Sequence, residues 1–324
     1  MMTVDSQTEE EKGISFDLLP GTSESTRAKT AETFLELLGA RVRNPNTRSA
    51  YRVAWRSFLA FCSVRQLELE KCKAYHVGAW LDQHPGSKST QRQHLAAVRL
   101  LFDSLLMRGV VEYNPAARAK PPKMVRESSR TPVFEQAEIA AFLASIKPNT
   151  LKGIRDRAIF SVLFYSWCRV SALTSLRVAD YYERGGTRWL RFQEKRGREH
   201  ELPVHSKARE AIDLWLEACG LCSNPEAPLF PSFARDRDRL SSRQLNRRSV
   251  LKLVQKQADA TGILKKVCCH SFRATGITEY MNRGGTIDVA QRIAGHQSST
   301  TTKIYDRSRD RLTLAEIERV SIEG

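Results

Sequence analysis

Residues 270–273 read His270-Ser271-Phe272-Arg273, and the chain continues through Ile293-Ala294-Gly295-His296 to Lys303-Ile304-Tyr305. A histidine and an arginine three positions apart leave the same face of a helix, so one helix can present an imidazole and a guanidinium to one anion. Two further cations lie upstream, Arg169 in Cys168-Arg169-Val170-Ser171-Ala172-Leu173 and Lys195 in Glu194-Lys195-Arg196-Gly197. Each group is common by chance when taken alone. Their order and spacing together indicate one site to which several helices contribute.

These residue types suit chemistry at a phosphodiester. A phosphodiester carries one negative charge and gains more in a pentacoordinate transition state, and arginine, lysine and histidine can neutralise that charge without a metal. A tyrosine hydroxyl can attack phosphorus and hold a covalent intermediate. The sequence therefore predicts DNA strand breakage and rejoining with no cofactor and no metal, carried by Arg169, Lys195, His270, Arg273, His296 and Tyr305.

The charge balance points to the same partner. The formal net charge is +16 and the pI is about 9.8. Acidic side chains outnumber basic ones in residues 1–30, so the positive excess lies in the rest of the chain. Such an excess attracts phosphate backbones; the alternative is a basic surface that serves only solubility. Basic side chains in helical register favour nucleic acid.

The cysteines and the apolar segments indicate a cytoplasmic, nucleoid-associated protein with reduced thiols and no membrane segment. There are seven cysteines, and the N-terminal residues contain no apolar segment like that of a signal peptide. The longest strongly apolar run, residues 158–168, is about half of the ~20 residues that span a bilayer. Cys219 and Cys222 have metal-like spacing but lack a second pair at zinc-ribbon distance, so zinc is disfavoured.

Composition and periodicity predict a mainly α-helical chain with a small β-sheet. We expect a disordered tail over 1–29, a helical DNA-binding domain over 30–119, a basic linker over 120–132, a catalytic domain over 133–310 and a C-terminal helix over 311–324. In the catalytic domain, two short strands near 189–192 and 201–204 flank a turn at Arg196-Gly197. A capping box at Thr313 and Glu316 begins the last helix.

Several basic and amide side chains are candidates for DNA contact. One helix, with a cap near Asn46-Thr47, carries Arg48, Arg52 and Arg56 at i, i+4 and i+8, a row that fits phosphates better than a merely solvated face. A helix that starts near residue 88 offers groups suited to base edges or phosphates, namely Lys88, Gln91, Arg92, Gln93 and His94. The linker adds Lys120 and Lys123, and a helix predicted over 243–260 adds Arg243, Arg247, Arg248 and Lys252.

In these stretches the sequence resembles the tyrosine recombinase (phage integrase) family, in a layout similar to that of its Cre and Xer members. The matching stretches cover roughly residues 30–310 and are 165–173, 194–203, 270–273 and 293–305, with Asn114-Pro115-Ala116 at the end of the first domain. The resemblance implies a SAM-like core-binding domain and an α/β catalytic domain that form a C-shaped clamp around DNA. It also implies double-stranded DNA with an inverted-repeat recombination site as substrate, a homo-tetramer on synapsed DNA that is a monomer or weak oligomer when free, and a Holliday-junction intermediate. The helix over 311–324 would be an exchange helix that docks on the neighbouring subunit; the alternative is that it packs on its own domain.

The resemblance also implies a role for each candidate residue. Tyr305 would form a 3′-phosphotyrosine, Arg169 and Arg273 would clamp the non-bridging oxygens, and Lys195 would protonate the leaving 5′ oxygen. His270 would assist proton transfer from Tyr305, and His296 would hydrogen-bond the phosphate. Two positions depart from the family pattern: Ala172 stands where many relatives have an acidic residue, and Ala274 where many have a histidine.

Two other functions fit parts of this pattern. A type IB topoisomerase would use a similar set of residues and would relax DNA instead of exchanging strands between two sites. A non-enzymatic DNA-binding protein would need neither Lys195 nor Tyr305. The N-terminal helical domain and the segment after Tyr305 favour the recombinase.

Overall fold

The chain divides into two compact units, Met1–Val125 and Arg126–Gly324. The structure, a computed structural model, describes residues 24–123, 131–193, 198–234, 239–296 and 298–303. The predicted C-terminal helix over 311–324 therefore lies outside the described residues, as does most of the predicted N-terminal tail. No helix in the described ranges is both long enough and apolar enough to cross a membrane.

The first unit is helical throughout its described part. Its helices are α1 (Glu24–Glu36), α2 (Pro45–Val64), α3 (Ala74–Asp82) and α4 (Lys88–Met107), with a π-helical turn at Leu37–Arg41 and a 3-10 turn at Leu69–Lys71. Trp55, Phe58, Leu59 and Cys62 of α2 are buried, and the Trp55 indole donates to the carbonyl of Ala97 on α4 at 2.7 Å. This bond and the packed rings fix α2 against α4.

Two predictions for this unit need correction. Residues 24–29 were expected to be disordered but belong to α1, because Phe34 further along the helix packs edge-on against Trp55 and Arg108 pairs with Glu32 and Glu36. The helix cap lies two residues earlier than predicted. Asn44 caps α2 by accepting from the backbone of Asn46 and Thr47, and Pro45 occupies the first helical position, where it costs no hydrogen bond.

In its described part, the second unit combines helices with two small antiparallel sheets. Its helices are α5 (Gln136–Ala144), α6 (Leu151–Ser166), α7 (Val170–Ser175), α8 (Ser206–Cys219), α9 (Arg247–Ala260), α10 (Cys269–Asn282), α11 (Ile287–Ala294) and α12 (Ser299–Lys303). One sheet has the order β1 (Tyr181–Arg184), β2 (Thr187–Gln193), β3 (Glu199–Pro203), and the other pairs β4 (Pro231–Phe233) with β5 (Leu240–Gln244). Strands β2 and β3 were predicted; β1 and the second sheet were not.

The helix predicted over 243–260 begins later, at Arg247. Asn246 caps it by accepting from the backbone of Ser249 at 2.8 Å. Arg243 therefore lies on β5, where residues 240–244 pair with β4. The position of the capping residue, and not the apolar periodicity alone, decides where this helix begins.

An aromatic cluster forms the centre of this unit and supports α10. Phe160 on α6 stacks on Phe272 at 5.8 Å, and Phe134 and Phe142 pack around both. Phe272 is fully buried and lies between His270 and Arg273 in the chain. Burial of this ring therefore fixes the rotation of α10 about its axis, which directs the two polar neighbours to their positions.

Candidate active site and nucleic-acid interface

Four of the six predicted catalytic residues lie in the described part of the chain, and all four belong to the second unit. They are Arg169, His270, Arg273 and His296. Lys195 falls in residues 194–197 and Tyr305 in residues 304–324, both outside the described residues. The strand register does bracket the first of these segments, because Gln193 on β2 pairs with Glu199 on β3.

Arg169 is placed by the junction between α6 and α7. It is the N-cap residue of α7, and its carbonyl accepts the backbone N–H of Leu173 at 3.0 Å. The residue two positions earlier, Trp167, ends α6 in the left-handed conformation with φ 53° and ψ 24°. This reversal of the backbone carries the chain out of the long α6, so that a half-buried Arg169 begins the next helix.

Arg273 is held by two backbone carbonyls from distant parts of the chain. Its Nη1 donates to Trp167 at 2.5 Å and its Nη2 donates to Ala294, the last residue of α11. The side chain is only 1% exposed. Carbonyl dipoles stabilise a guanidinium that has lost most of its contact with water. Arg273 thus joins the ends of α6 and α11 to α10.

His296 follows the left-handed Gly295 that ends α11, and it is buried. Its backbone N–H donates to Gln291, whose side-chain amide donates back to the His296 carbonyl at 3.1 Å. Its ring Nδ1 lies 2.9 Å from Oγ1 of the buried Thr302 on α12. Because Thr302 stands three positions before Tyr305, this contact ties the histidine to the helix that leads to the predicted nucleophile.

The electrostatics show that the four groups are close together. Burial, followed by the positive charges of Arg273 and Arg169, lowers the pKa of His296 to about 3. The same causes in the same order lower the pKa of His270. The His270 side chain keeps an exposed surface, yet the surrounding protein displaces much of its water. Both imidazoles are neutral at pH 7, and the site concentrates positive charge in the two arginines.

The two departures from the family pattern are both buried small side chains. Ala172 is 4% exposed and packs into the main core of the unit, whereas Ala274 is fully buried beside Trp167. A carboxylate at Ala172 would lose its water among apolar neighbours. The cluster around Trp167 occupies the space near Ala274.

The predicted DNA contacts of the first unit fall into two groups. Arg56, Lys88, Arg92, Gln93, Lys120 and Lys123 are exposed. Arg52 is half-buried, and Arg48 is half-buried with its Nε donating to the Val42 carbonyl at 2.6 Å. Arg48 therefore orders the turn before α2.

His94 and Gln91 are engaged inside the unit. The prediction that His94 contacts DNA is wrong, because its ring is buried and its Nδ1 lies 2.8 Å from the Nε2 of His84. The Gln91 amide nitrogen donates to the carbonyls of His84 and Gly86, at 3.2 and 3.0 Å. Both side chains shape the turn that precedes α4.

In the second unit, the four candidates Arg243, Arg247, Arg248 and Lys252 are all exposed. Arg243 projects from a strand and the other three from α9. Lys252 and Lys256 lie four and eight positions after Arg248 in the helical part of this segment, so the three side chains form one row on α9.

Sequence reasoning missed the residues that hold the catalytic groups in place. Trp167 and Thr302 act through a backbone carbonyl and a hydroxyl, and neither belongs to a pattern that would reveal it. A bulky residue directly after an apolar helix and just before Arg169 was the available signal for Trp167. Among the described residues, no group of three or more histidine, cysteine or acidic side chains could hold a metal ion.

Comparisons with known proteins identify both units. Residues 132–311 match the phage integrase family, and residues 31–109 match the phage integrase N-terminal SAM-like domain. The chain is 32% identical over 284 residues to the tyrosine recombinase XerC of Pelobacter propionicus, covering 86% of this chain and 90% of that protein. It is 27% identical to XerD of Pseudomonas aeruginosa over 80% of this chain and 86% of that protein.

Two solved structures share the fold. One is the XerH site-specific recombinase bound to its palindromic difH substrate, with a TM-score of 0.69 at 16% identity, covering 96% of this chain and 92% of that one. The other is a lambda integrase tetramer bound to a Holliday junction, with a TM-score of 0.64 at 16% identity, covering 96% and 87%. The predicted family and fold class are confirmed. The chain belongs to the phage integrase family of tyrosine recombinases, site-specific recombinases that break and rejoin DNA.

Proposed function

We propose that this recombinase cuts double-stranded DNA at an inverted-repeat site through a covalent bond to Tyr305, and that four subunits act together on two synapsed sites. The observation that carries the proposal is geometric: Arg273 bonds the carbonyls of Trp167 and Ala294, which stand two residues before Arg169 and His296, and the His296 ring contacts Thr302 on α12. Convergent cations and a nearby hydroxyl nucleophile are what phosphoryl transfer without a metal requires.

Each residue then has a chemical role. Arg169 and Arg273 neutralise the non-bridging oxygens, and their charge is worth more because the site holds little water. The neutral His270 accepts the proton from the Tyr305 hydroxyl as the oxygen attacks phosphorus. Lys195 donates a proton to the 5′ oxygen that leaves. His296 donates a hydrogen bond to the phosphate through the ring nitrogen that does not face Thr302.

The energy of the broken phosphodiester is kept in the phosphotyrosine, so the reverse attack by a 5′ hydroxyl rejoins the strand without ATP. If that hydroxyl comes from a second site, strands are exchanged and a Holliday junction forms. We infer that exposed basic side chains of each unit contact phosphates, and that the protein acts where chromosomal DNA lies, in the cytoplasm.

Capture of the covalent complex tests the proposal. The wild-type chain is incubated with nicked fragments of the genome that encodes it, the mixture is denatured in detergent, and the protein-linked DNA is sequenced. We expect adducts at one short inverted-repeat site, and none with Tyr305→Phe, which should bind the same DNA. An adduct formed by the phenylalanine variant would refute the role of Tyr305. Relaxation of supercoiled DNA without exchange between two captured sites would indicate the topoisomerase instead.

A further inference from the structure

Trp167 has a backbone conformation that is rare for its residue type. Its φ of 53° lies in the left-handed region, where only Gln66 joins it among the non-glycine residues that the structure describes. Helices commonly end on a left-handed residue, but that residue is usually glycine because a Cβ atom crowds the backbone there. A bulky residue keeps such a conformation only where its surroundings impose it, often beside a functional site.

The surroundings of the Trp167 ring explain why the conformation persists. The side chain is 7% exposed and packs with Ala274, Ile277, Ala290 and Ala294. Tyr280 meets the indole edge-on at 5.5 Å. Together these residues place the ring between α10 and α11, so the indole can move only if one of the two helices moves.

Gly276 is the point of closest approach between α10 and this ring. A Cβ atom at position 276 would lie 2.0 Å from the indole Nε1 and 2.2 Å from Cδ1 of Trp167. Real Cβ atoms essentially never approach so closely, so the ring lies against the helix only because residue 276 has no side chain. Trp167 and Gly276 are sterically complementary, because the indole fits against α10 only where residue 276 has no side chain.

The catalytic residues of α10 and the residues of α10 that contact Trp167 lie on one face of this helix. His270, Arg273, Gly276 and Tyr280 follow each other at i, i+3, i+6 and i+10, so they lie along one side of the helix. One end of this face carries the histidine and the arginine, and the other end holds the indole. The Trp167 carbonyl also accepts from Nη1 of Arg273 at 2.5 Å. Trp167 therefore holds α10 twice, by its ring and by its carbonyl, while it stands two residues before Arg169.

We propose that Trp167 and Gly276 are a positioning pair that sets Arg273 against Arg169. This inference rests on the proposed function, in which the two arginines clamp one scissile phosphate. The ring fixes where α10 lies relative to the end of α6, and the carbonyl fixes the guanidinium of Arg273. Displacing the ring rotates the carbonyl away and shifts one arginine relative to the other.

A pair of glycine substitutions tests the proposal. Gly276→Ala forces the ring to shift, whereas Gly153→Ala creates an equally close contact, 2.0 Å from the Lys147 carbonyl, in the first turn of α6, at the end opposite Trp167. Single-turnover cleavage is measured on a nicked duplex of the captured site at saturating DNA, and each rate is corrected for the folded fraction. We expect Gly276→Ala to cleave roughly ten- to a hundredfold more slowly, since small misplacements cost that much. Gly153→Ala should cleave at the wild-type rate, and both variants should bind DNA with the wild-type affinity.

The same variants on a neutral substrate separate positioning from folding. A methylphosphonate at the scissile position carries no charge for the arginines to neutralise, so their placement matters less. We expect the deficit of Gly276→Ala to shrink markedly on this substrate. An equal deficit on both substrates, or an equal loss in Gly276→Ala and Gly153→Ala, would overturn the inference.

We expect the double variant Trp167→Gly with Gly276→Ala to fold even if Gly276→Ala alone does not, because the steric clash is gone. Its added methyl enters the space that the ring has left, so it should cleave no more slowly than Trp167→Gly alone. If instead the rate losses of the two single variants multiply in the double variant, the two residues do not act through each other. A wild-type chain that forms no adduct overturns the proposed function and this inference with it. A wild-type adduct with Gly276→Ala at the wild-type rate overturns this inference only.

Discussion

At the scale of single residues, Lys195 gives the clearest test of a chemical role. Lys195→Ala should cleave a normal site poorly, because an alkoxide is a poor leaving group without a proton. A substrate with a bridging 5′-phosphorothiolate should restore cleavage, since a thiolate leaves without one. The measurement is the single-turnover rate of adduct formation on both substrates. Equal impairment on the two would show that Lys195 is not the general acid.

His296 links the site to the stability of its unit. Its pKa is lowered to about 3 by burial and by Arg273 and Arg169. In the unfolded chain this imidazole binds a proton near pH 6.5, whereas in the folded chain it stays neutral until about pH 3. The free energy of unfolding therefore falls as the pH falls from about 6.5 toward 3. The slope from this one group approaches about 1.4 kcal/mol per pH unit.

Denaturant unfolding between pH 5 and 7 should therefore show a shallower pH dependence for His296→Gln than for the wild type. The dependence should not vanish, because the lowered pKa of His270 adds a contribution of the same sign. An unchanged slope in His296→Gln would mean that the imidazole is not held neutral by its surroundings.

At the scale of elements, the row of Arg48, Arg52 and Arg56 on α2 is predicted to have two different roles. Arg48 is bonded to the Val42 carbonyl at 2.6 Å, whereas Arg56 is exposed and Arg52 is half-buried, so we predict that Arg52 and Arg56 contact phosphates. The double variant Arg52→Ala with Arg56→Ala should weaken binding to all DNA sequences alike. It should also reduce the salt slope of binding by about 2, at roughly 0.9 per phosphate contact.

Arg48→Ala is the matched control for this prediction. It removes the same type of side chain from the same row, and it should lower the melting temperature of the protein while leaving the salt slope nearly unchanged. Binding is measured by titration at several salt concentrations. A full unit of slope lost with Arg48→Ala, or none with the double variant, would contradict the division of the row.

At the scale of the whole molecule, residues 311–324 are predicted to act between subunits. The segment has a capping box and an apolar stripe of Leu314, Ile317 and Val320, yet it is too short to be a stable helix alone. Its removal should leave single-site binding and most Tyr305 cleavage intact, but impair synapsis and strand exchange. A truncated chain with a lower melting temperature and unchanged cooperative assembly on DNA would show that the segment packs on its own subunit.

The helical character of the first unit, strands β2 and β3, the basic charge balance and the six candidate catalytic groups could all be predicted from the sequence. These depend on residue type and on periodicity within one or two helical turns, and such information is local. Asn44 rather than Asn46 as the cap of α2, and Arg243 on a strand rather than a helix, show where local patterns fail. The end of a helix or strand depends on which of several adjacent residues finds a hydrogen-bond partner in the folded chain.

Which side chains are exposed, and which groups hold them, became evident in the folded chain alone. His94 looked like a DNA contact until His84 and the core enclosed it. Arg273 reaches the Trp167 carbonyl across 106 positions of the chain. No local pattern can encode that bond, because it forms only after three helix ends have packed together. The sequence therefore determined the chemistry of the site, and packing between distant helices determined its geometry.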